Sequence, residues 1–378
     1  MLYFDHNATT PVAPEVTAAV TQASLEVWGN PSSIHGEGQK ARKFLESSRH
    51  TIAARLHCSP AELVFTSGGT ESNNLAIMGL ARGGKHVITT AIEHPAVLET
   101  CRQLEREGVA VTYVGVDRFG AVDANEIKRH ITGDTILVSV MDANNEVGTL
   151  QPVQAISEIV RERRATGQEI YLHSDGVQAF GKTTTNVNEL GIDLYSVSGH
   201  KIFAPKGIGA LFVRKNVPLR AIQHGGRHER ERRAGTENVP GAMAFAKAVE
   251  VCGDNVSALR DQFEARILSE LEDVQVNGAV SSRLNNTSNL MFPGVSGEAM
   301  VIALDMLGMA VSSGSACSSG SIEPSHVLLA MGRTREEARS SVRFSFGRYN
   351  SPEDVDALAS AVVASAKRLA KRRQLVTA

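Results

Sequence analysis

A single lysine between two apolar runs constrains this chain more than any other feature. Residues 193–197 and 208–213 both read as buried strands, and between them stands Lys201, preceded by Ser198, Gly199 and His200. An ammonium between buried strands is expensive to desolvate. Burial favours the neutral amine, the form that attacks a carbonyl and makes a Schiff base. Ser198 and His200 add hydrogen-bond donors for an anion. Taken alone, such a lysine is more often a surface residue on a strand-connecting loop, so the rest of the chain decides.

Upstream, strand and helix patterns alternate. Strands are expected at 63–65, 86–89, 109–114, 135–140 and 169–173. Helices are expected over 70–80, through Leu98 and Leu104, over 124–130 and over 152–165. This alternation argues for an α/β fold with a mostly parallel sheet covered by helices on both faces. Two helices precede it, at 14–27 and 38–56, separated by Gly29-Asn-Pro-Ser-Ser33. After Pro240 the pattern changes to one long helix over 241–271, strands at 288–292, 310–312 and 341–346, a helix over 298–307 and a last helix from Pro352. The expected division is a large domain of residues 13–240 and a smaller α+β domain of 1–12 with 241–378, in keeping with a chain of 378 residues.

The formal charge of −2 gives no reason to expect nucleic acid or a membrane surface as partner, and no apolar run is long enough to span a bilayer. The start, Met1-Leu-Tyr-Phe-Asp5, lacks the pattern of a signal peptide, so the expected location is cytoplasmic. Cys58, Cys101, Cys252 and Cys317 show no CxxC spacing; they read as free thiols, with no disulfide and no metal site expected. Only Cys317 lies in a loop of small residues, Gly314-Ser-Ala-Cys-Ser-Ser-Gly320, and it is the thiol expected to react.

Several segments supply polar groups at strand ends. Thr66-Ser-Gly-Gly-Thr70 joins a strand to a helix; its glycines, Gly69 among them, let backbone N–H groups approach an anion, and Thr70 is expected as N-cap and phosphate donor. Asp175, in His173-Ser-Asp-Gly-Val-Gln178, stands at the carboxyl end of a strand, where a carboxylate can pair with a pyridinium nitrogen. His94 follows another strand and could lie over a flat ring or simply start a helix. Residues 225–236 form a charge run, ordinarily a solvated face, ending at Thr236, a possible phosphate donor. Arg343 interrupts an apolar strand and needs an anion, either a substrate carboxylate or an internal Asp or Glu. A Schiff-base lysine, anion donors and a carboxylate for a ring nitrogen together describe a site for pyridoxal 5'-phosphate.

Taken in order, the motifs resemble the cysteine desulfurases, in the class V branch of the fold-type I pyridoxal-phosphate enzymes, and most of all the branch associated with iron–sulfur cluster assembly. The resemblance runs through Phe4-Asp-His-Asn-Ala-Thr-Thr-Pro11, Gly29-Asn-Pro-Ser-Ser-Ile-His35, Ser67-Gly-Gly-Thr-Glu-Ser-Asn-Asn74, Glu93-His94, Asn144-Asn-Glu-Val-Gly148, Ser198-Gly-His-Lys201, Arg233-Ala-Gly-Thr-Glu-Asn238 and Ser313-Gly-Ser-Ala-Cys317. It implies a large domain with a mainly parallel seven-stranded sheet and a small, chiefly C-terminal domain. It implies that Lys201 bonds the cofactor aldehyde, Asp175 pairs the ring nitrogen and His94 stacks on the ring. Gln178 and Asn145 would contact the ring oxygen and its surroundings. Gly69, Thr70, Ser198 and His200 would hold the phosphate, with Thr236 arriving from the second subunit of a homodimer. Asn30 and Arg343 would hold the carboxylate of L-cysteine, and Cys317 would take its sulfur as a persulfide for an acceptor or scaffold protein. The alternatives are a selenocysteine lyase or another β-eliminating enzyme on the same cofactor, or a non-catalytic scaffold subunit, against which the retention of Lys201, Asp175 and Cys317 argues. The chain departs from the family pattern at Gly176-Val177, where Ala-Thr is frequent, and at Ala204, where Gly is usual.

Overall fold

The computed structural model describes residues 1–81, 84–313 and 323–377, with side chains as far as Lys371. A short strand β1 (Leu2–Tyr3) and helices α1 (Pro14–Glu26) and α2 (Gly36–Leu56) lead into strands β2 (Leu63–Thr66), β3 (His86–Thr90), β4 (Ala110–Val114), β5 (Thr135–Ser139), β6 (Tyr171–Asp175), β7 (Leu194–Ser198) and β8 (Gly209–Val213). These last seven strands make one sheet in the order β2-β8-β7-β6-β5-β3-β4. Strands β4, β3, β5, β6 and β7 pair in parallel, and β8 runs antiparallel to both β7 and β2. The fold is therefore the expected α/β class with a mainly parallel sheet.

The intervening helices are α3 (Gly69–Leu80), α4 (Pro95–Arg106), α5 (Ala124–His130) and α6 (Val153–Ala165). Every residue of β2, β3, β5, β7 and β8 is buried. Burial on both faces is why these strands are short and largely apolar or small, with no polar alternation. Their carboxyl ends gather the loops after β2, β3, β6 and β7 on one edge of the sheet.

The long helix expected over 241–271 is two helices, α7 (Val239–Val251) and α8 (Ser257–Glu270). Cys252 turns extended, Gly253 takes φ 112°, and the Asn255 side chain accepts from the Ser257 N–H. Four turn-forming residues thus outweigh the helical pattern around them. Val239, Phe245 and Val249 of α7 join the large core under the seven-stranded sheet, whereas Phe263 and Ile267 of α8 join a second core with Phe4, Leu290 and Phe344. Packing thus puts α7 with the first core and α8 with the second.

Around the second core lie β9 (Gln275–Asn277), β10 (Thr287–Met291), α9 (Gly297–Asp305), β11 (Met309–Ala310), α10 (His326–Ala330), α11 (Arg335–Arg339), β12 (Ser341–Ser345) and α12 (Pro352–Thr377). The antiparallel sheet order is β12-β10-β9, and β1 pairs in parallel with β11. The sequence pattern missed β9, α10 and α11, which span too few residues to show a period. Among the described residues no helix is long and apolar enough to cross a membrane.

Candidate active site

A cavity of ≈ 260 Å³ opens at the carboxyl edge of the large sheet. Gly69, Thr70, His94, Asn145, Asp175, Gln178, Ser198, His200, Lys201 and Arg343 all line it, as do Asn7, Asn73 and Val177. Cys317 lies outside the described residues.

Lys201 ends a single helical turn, residues 199–201, between β7 and antiparallel β8. The turn is tight: a Cβ on Gly199 would lie 2.9 Å from the Ala204 methyl, so alanine at 204 is compatible with glycine at 199. Lys201 is half-buried and its Nζ donates to the Asn7 and Ala8 carbonyls at 2.6 and 2.7 Å. The opening segment straps this turn: Thr10 N–H and Oγ1 both donate to the His200 carbonyl at 3.0 Å, and Thr10 Oγ1 accepts from the Phe203 N–H.

Asp175 closes β6. Its Oδ2 accepts from Asn73 Nδ2 at 2.7 Å and its Oδ1 from the Val177 N–H at 3.0 Å, which fixes the carboxylate plane. His94 starts a helix, as one of its two expected roles required, and it also lines the cavity. It caps α4, its Nδ1 accepting from the Ala96 N–H at 3.1 Å, and its ring faces the cavity. An acceptor Nδ1 leaves the proton of the neutral ring on Nε2. Burial lowers the His94 pKa, as does the nearby Lys201, against an opposing pull from Asp175. Burial, with Lys201 beside it, brings His200 down to about 4.

The N-cap of α3 is Gly68, not Thr70, and its φ of 155° lies where a side chain is strained. Thr70 sits in the first turn and stays exposed at the cavity. Ser198 Oγ, Asn73 Oδ1 and Arg343 Nε are buried without a hydrogen-bond partner among the described residues. Buried polar atoms are ordinarily satisfied; Ser198 Oγ, beside the amino end of α3, and Arg343 Nε can each donate to an anionic group, whereas Asn73 Oδ1 only accepts.

Arg343 meets the internal partner that the sequence left open: Nη2 pairs with Asp5 Oδ1 at 2.7 Å and Nη1 donates to the Asn145 carbonyl at 3.0 Å. Asn30 and Thr236 do not line the cavity of their own chain. Asn30 is exposed, its Oδ1 folded back onto the Ser32 N–H at 2.9 Å in a local turn. Thr236 is exposed. The charge run before it is solvated at Arg227, Arg230 and Glu231, but Glu229 is 5% exposed and forms a bidentate pair with buried Arg49 at 2.7 and 2.8 Å. Arg233 pairs with Glu71 at 2.7 Å.

Three contributors were missed. Asn7 accepts from Lys201 and Gln178 through its carbonyl, and its side chain reaches Thr287, Asn286 and Lys182. Asn73 orients Asp175. Buried Glu93 directly precedes His94 in the chain and is held by Thr90 Oγ1 and the Met141 N–H. Each lies inside a segment already singled out, but only partners distant in the chain give it a role.

Residues 2–358 match the class-V aminotransferase family. The chain is 45% identical over 366 residues to the cysteine desulfurase IscS of Dictyoglomus turgidum, a match covering 94% of this chain and 92% of that protein. It is 44% identical over 366 residues to the cysteine desulfurase IscS of Methanosarcina thermophila, covering 94% and 89%. Among solved structures, a NifS-like protein superposes with a TM-score of 0.88 at 36% identity, covering 96% of this chain and 98% of that one. SspA, solved in complex with cysteine, superposes with a TM-score of 0.83 at 36% identity, covering 93% and 100%. With nearly its whole length matched and its polar residues gathered at the sheet edge, the chain belongs to the class-V aminotransferase family and, within it, to the cysteine desulfurases.

Proposed function

We propose that this protein uses pyridoxal 5'-phosphate to convert L-cysteine to L-alanine, with the sulfur retained as a persulfide on Cys317. The observation that carries this reading is one cavity in which Lys201 Nζ, the Asp175 carboxylate and the neutral His94 ring converge. When bound, the cofactor supplies an electron sink for the bond broken at the substrate's α-carbon. Asp175 would hold the ring N–H, Gln178 the ring oxygen, and His94 one face of the ring. Ser198, Thr70, His200 and the N–H groups at the start of α3 would take the phosphate. Lys201 would hold the aldehyde carbon and, once the substrate amine displaces it, accept the α-proton at Nζ. The free Arg343 Nε–H and Asn30 are the candidates for the substrate carboxylate.

The Cys317 thiolate attacks the substrate sulfur; the S–S bond forms, the C–S bond breaks, and its electron pair passes to the β-carbon, which is protonated to alanine. The persulfide then passes to an acceptor protein, and iron–sulfur cluster assembly is the use we propose for it. A cytoplasmic homodimer in which Thr236 reaches the neighbouring phosphate is part of the same reading.

The test supplies L-cysteine with dithiothreitol and measures alanine and sulfide together; equal yields are expected. Lys201→Ala should abolish both products and the bound cofactor's visible absorption. Borohydride reduction followed by peptide mapping should place the cofactor on Lys201. A reduced adduct on Lys206, or sulfide released without alanine, would overturn the reading.

A further inference from the structure

Lys182 is a half-buried amine that the proposed chemistry leaves unused. It follows Gln178 by four residues in the turn after β6, and its Nζ donates to Gln178 Oε1 at 2.9 Å and to Asn7 Oδ1 at 3.2 Å. It also shares a small cavity of ≈ 30 Å³ with Lys201. Burial lowers the Lys182 pKa well below the ordinary lysine value, and the charges of Lys201 and Arg343 add to the effect.

The hydrogen-bond chemistry around Gln178 has one consistent solution. At one end, Nε2 faces the Asn7 backbone carbonyl at 2.9 Å, and a carbonyl only accepts. At the other end, Oε1 faces Lys182 Nζ. Asn7 Oδ1 accepts from Asn286 Nδ2 at 3.0 Å as well, so Lys182 must donate to Asn7. Nε2 carries a second N–H, and no acceptor takes it among the described residues.

We propose that Lys182 is a positioning residue that holds the Gln178 amide with its N–H side, not its oxygen, available to the ring oxygen of the cofactor. The inference rests on the cofactor reading above. A ring oxygen bearing negative charge needs a donor; a flipped amide would place two acceptors, Oε1 and the Asn7 carbonyl, face to face and lose the hydrogen bond from Lys182 Nζ. Without Lys182, Oε1 loses its donor and the amide has no reason to keep one orientation.

A double-mutant cycle on cofactor affinity tests this. Wild type, Lys182→Met, Gln178→Ala and the double variant are stripped of cofactor and titrated with pyridoxal 5'-phosphate. The readouts are the dissociation constant from fluorescence and the wavelength maximum of the bound cofactor. Lys182→Met should weaken binding roughly ten-fold and move the wavelength maximum. In the Gln178→Ala background the same substitution should change neither. Lys182→Gln, which keeps an N–H for Oε1, should bind within a few-fold of wild type, and it serves if Lys182→Met does not fold. An equal loss in both backgrounds, or a wavelength maximum that never moves, refutes the role of Lys182 while wild type still binds the cofactor. If wild type itself fails to bind, the underlying cofactor reading fails too.

Discussion

Replacing Arg49 with methionine should destabilise the fold far more than an ordinary helix substitution. Arg49 lies on α2 and is 2% exposed. Its two terminal nitrogens grip both oxygens of Glu229, and Nη1 also donates to the Leu63 carbonyl at 2.9 Å. Glu229 Oε2 in turn accepts from the Phe65 N–H at 2.9 Å, and the guanidinium lies 4.7 Å from the Phe65 ring centre. Leu63 and Phe65 belong to β2, the outer strand of the large sheet, so this ion pair caps an open sheet edge. It also pins a strained turn: Glu229, Arg230 and Glu231 all have left-handed φ, at 46°, 57° and 65°.

Removing one partner of a buried pair costs about 3–5 kcal/mol, because the other charge stays buried and unpaired. Relaxing the left-handed turn would return roughly 1 kcal/mol or more of strain. A net loss of about 3 kcal/mol is therefore expected. The assay is urea unfolding at pH 7 and fixed protein concentration, with the midpoint shifting and the slope unchanged. Arg49→Met with Glu229→Leu should recover part of the loss: no charge is stranded, although the Leu63 carbonyl and the Phe65 N–H lose their partners. A loss below about 1 kcal/mol for the single variant, or a double variant no more stable than the single one, would refute this account of the pair.

Further outcomes are expected. Burial pushes the Glu93 carboxyl up to about 8 from its ordinary 4.5, so the native state holds this proton more tightly than the unfolded chain. That group leaves stability untouched below about pH 4.5 and lowers it progressively up to about pH 8. Glu93→Gln should remove that part of the slope in urea midpoints across the range, and an unchanged slope would count against it. A Cβ on Gly176 would lie 1.9 Å from Tyr195 Cζ, so Gly176→Ala should cost roughly 1–3 kcal/mol in thermal unfolding and be relieved by Tyr195→Val. Burial holds the Cys58 and Cys101 thiols up at about 12 and raises Cys252, so at pH 8 iodoacetamide should label Cys317 first. Cys317→Ser should keep the cofactor spectrum and stop persulfide transfer; alanine production at the wild-type rate would show another acceptor. Finally, mixing Lys201→Ala chains with Thr236→Ala chains should restore activity at one site per dimer, and no gain over the Thr236→Ala parent would exclude a site shared between subunits.

Which residues line the candidate site was legible in the linear chain wherever the cue was local. Strand ends in a parallel sheet deliver their next residues to one edge, so Asp175, His94 and the turn holding Lys201 could be placed from apolar runs and breaks alone. The mainly parallel fold followed from the same alternation. Partner choice was not legible. Arg343 had two candidate anions, and folding supplied Asp5, which the sequence puts at the other end of the chain. Glu229 looked like part of a solvated run because nothing near it in sequence announces that Arg49 will bury it. Asn7 joins the Lys201 turn to Gln178, Lys182 and an asparagine 279 residues away. Local pattern encodes which face of an element is apolar and where it stops. The direction of an amide, the mate of a buried charge and the strain a turn can hold depend on groups brought together by closing long loops, and only the packed tertiary structure decides those.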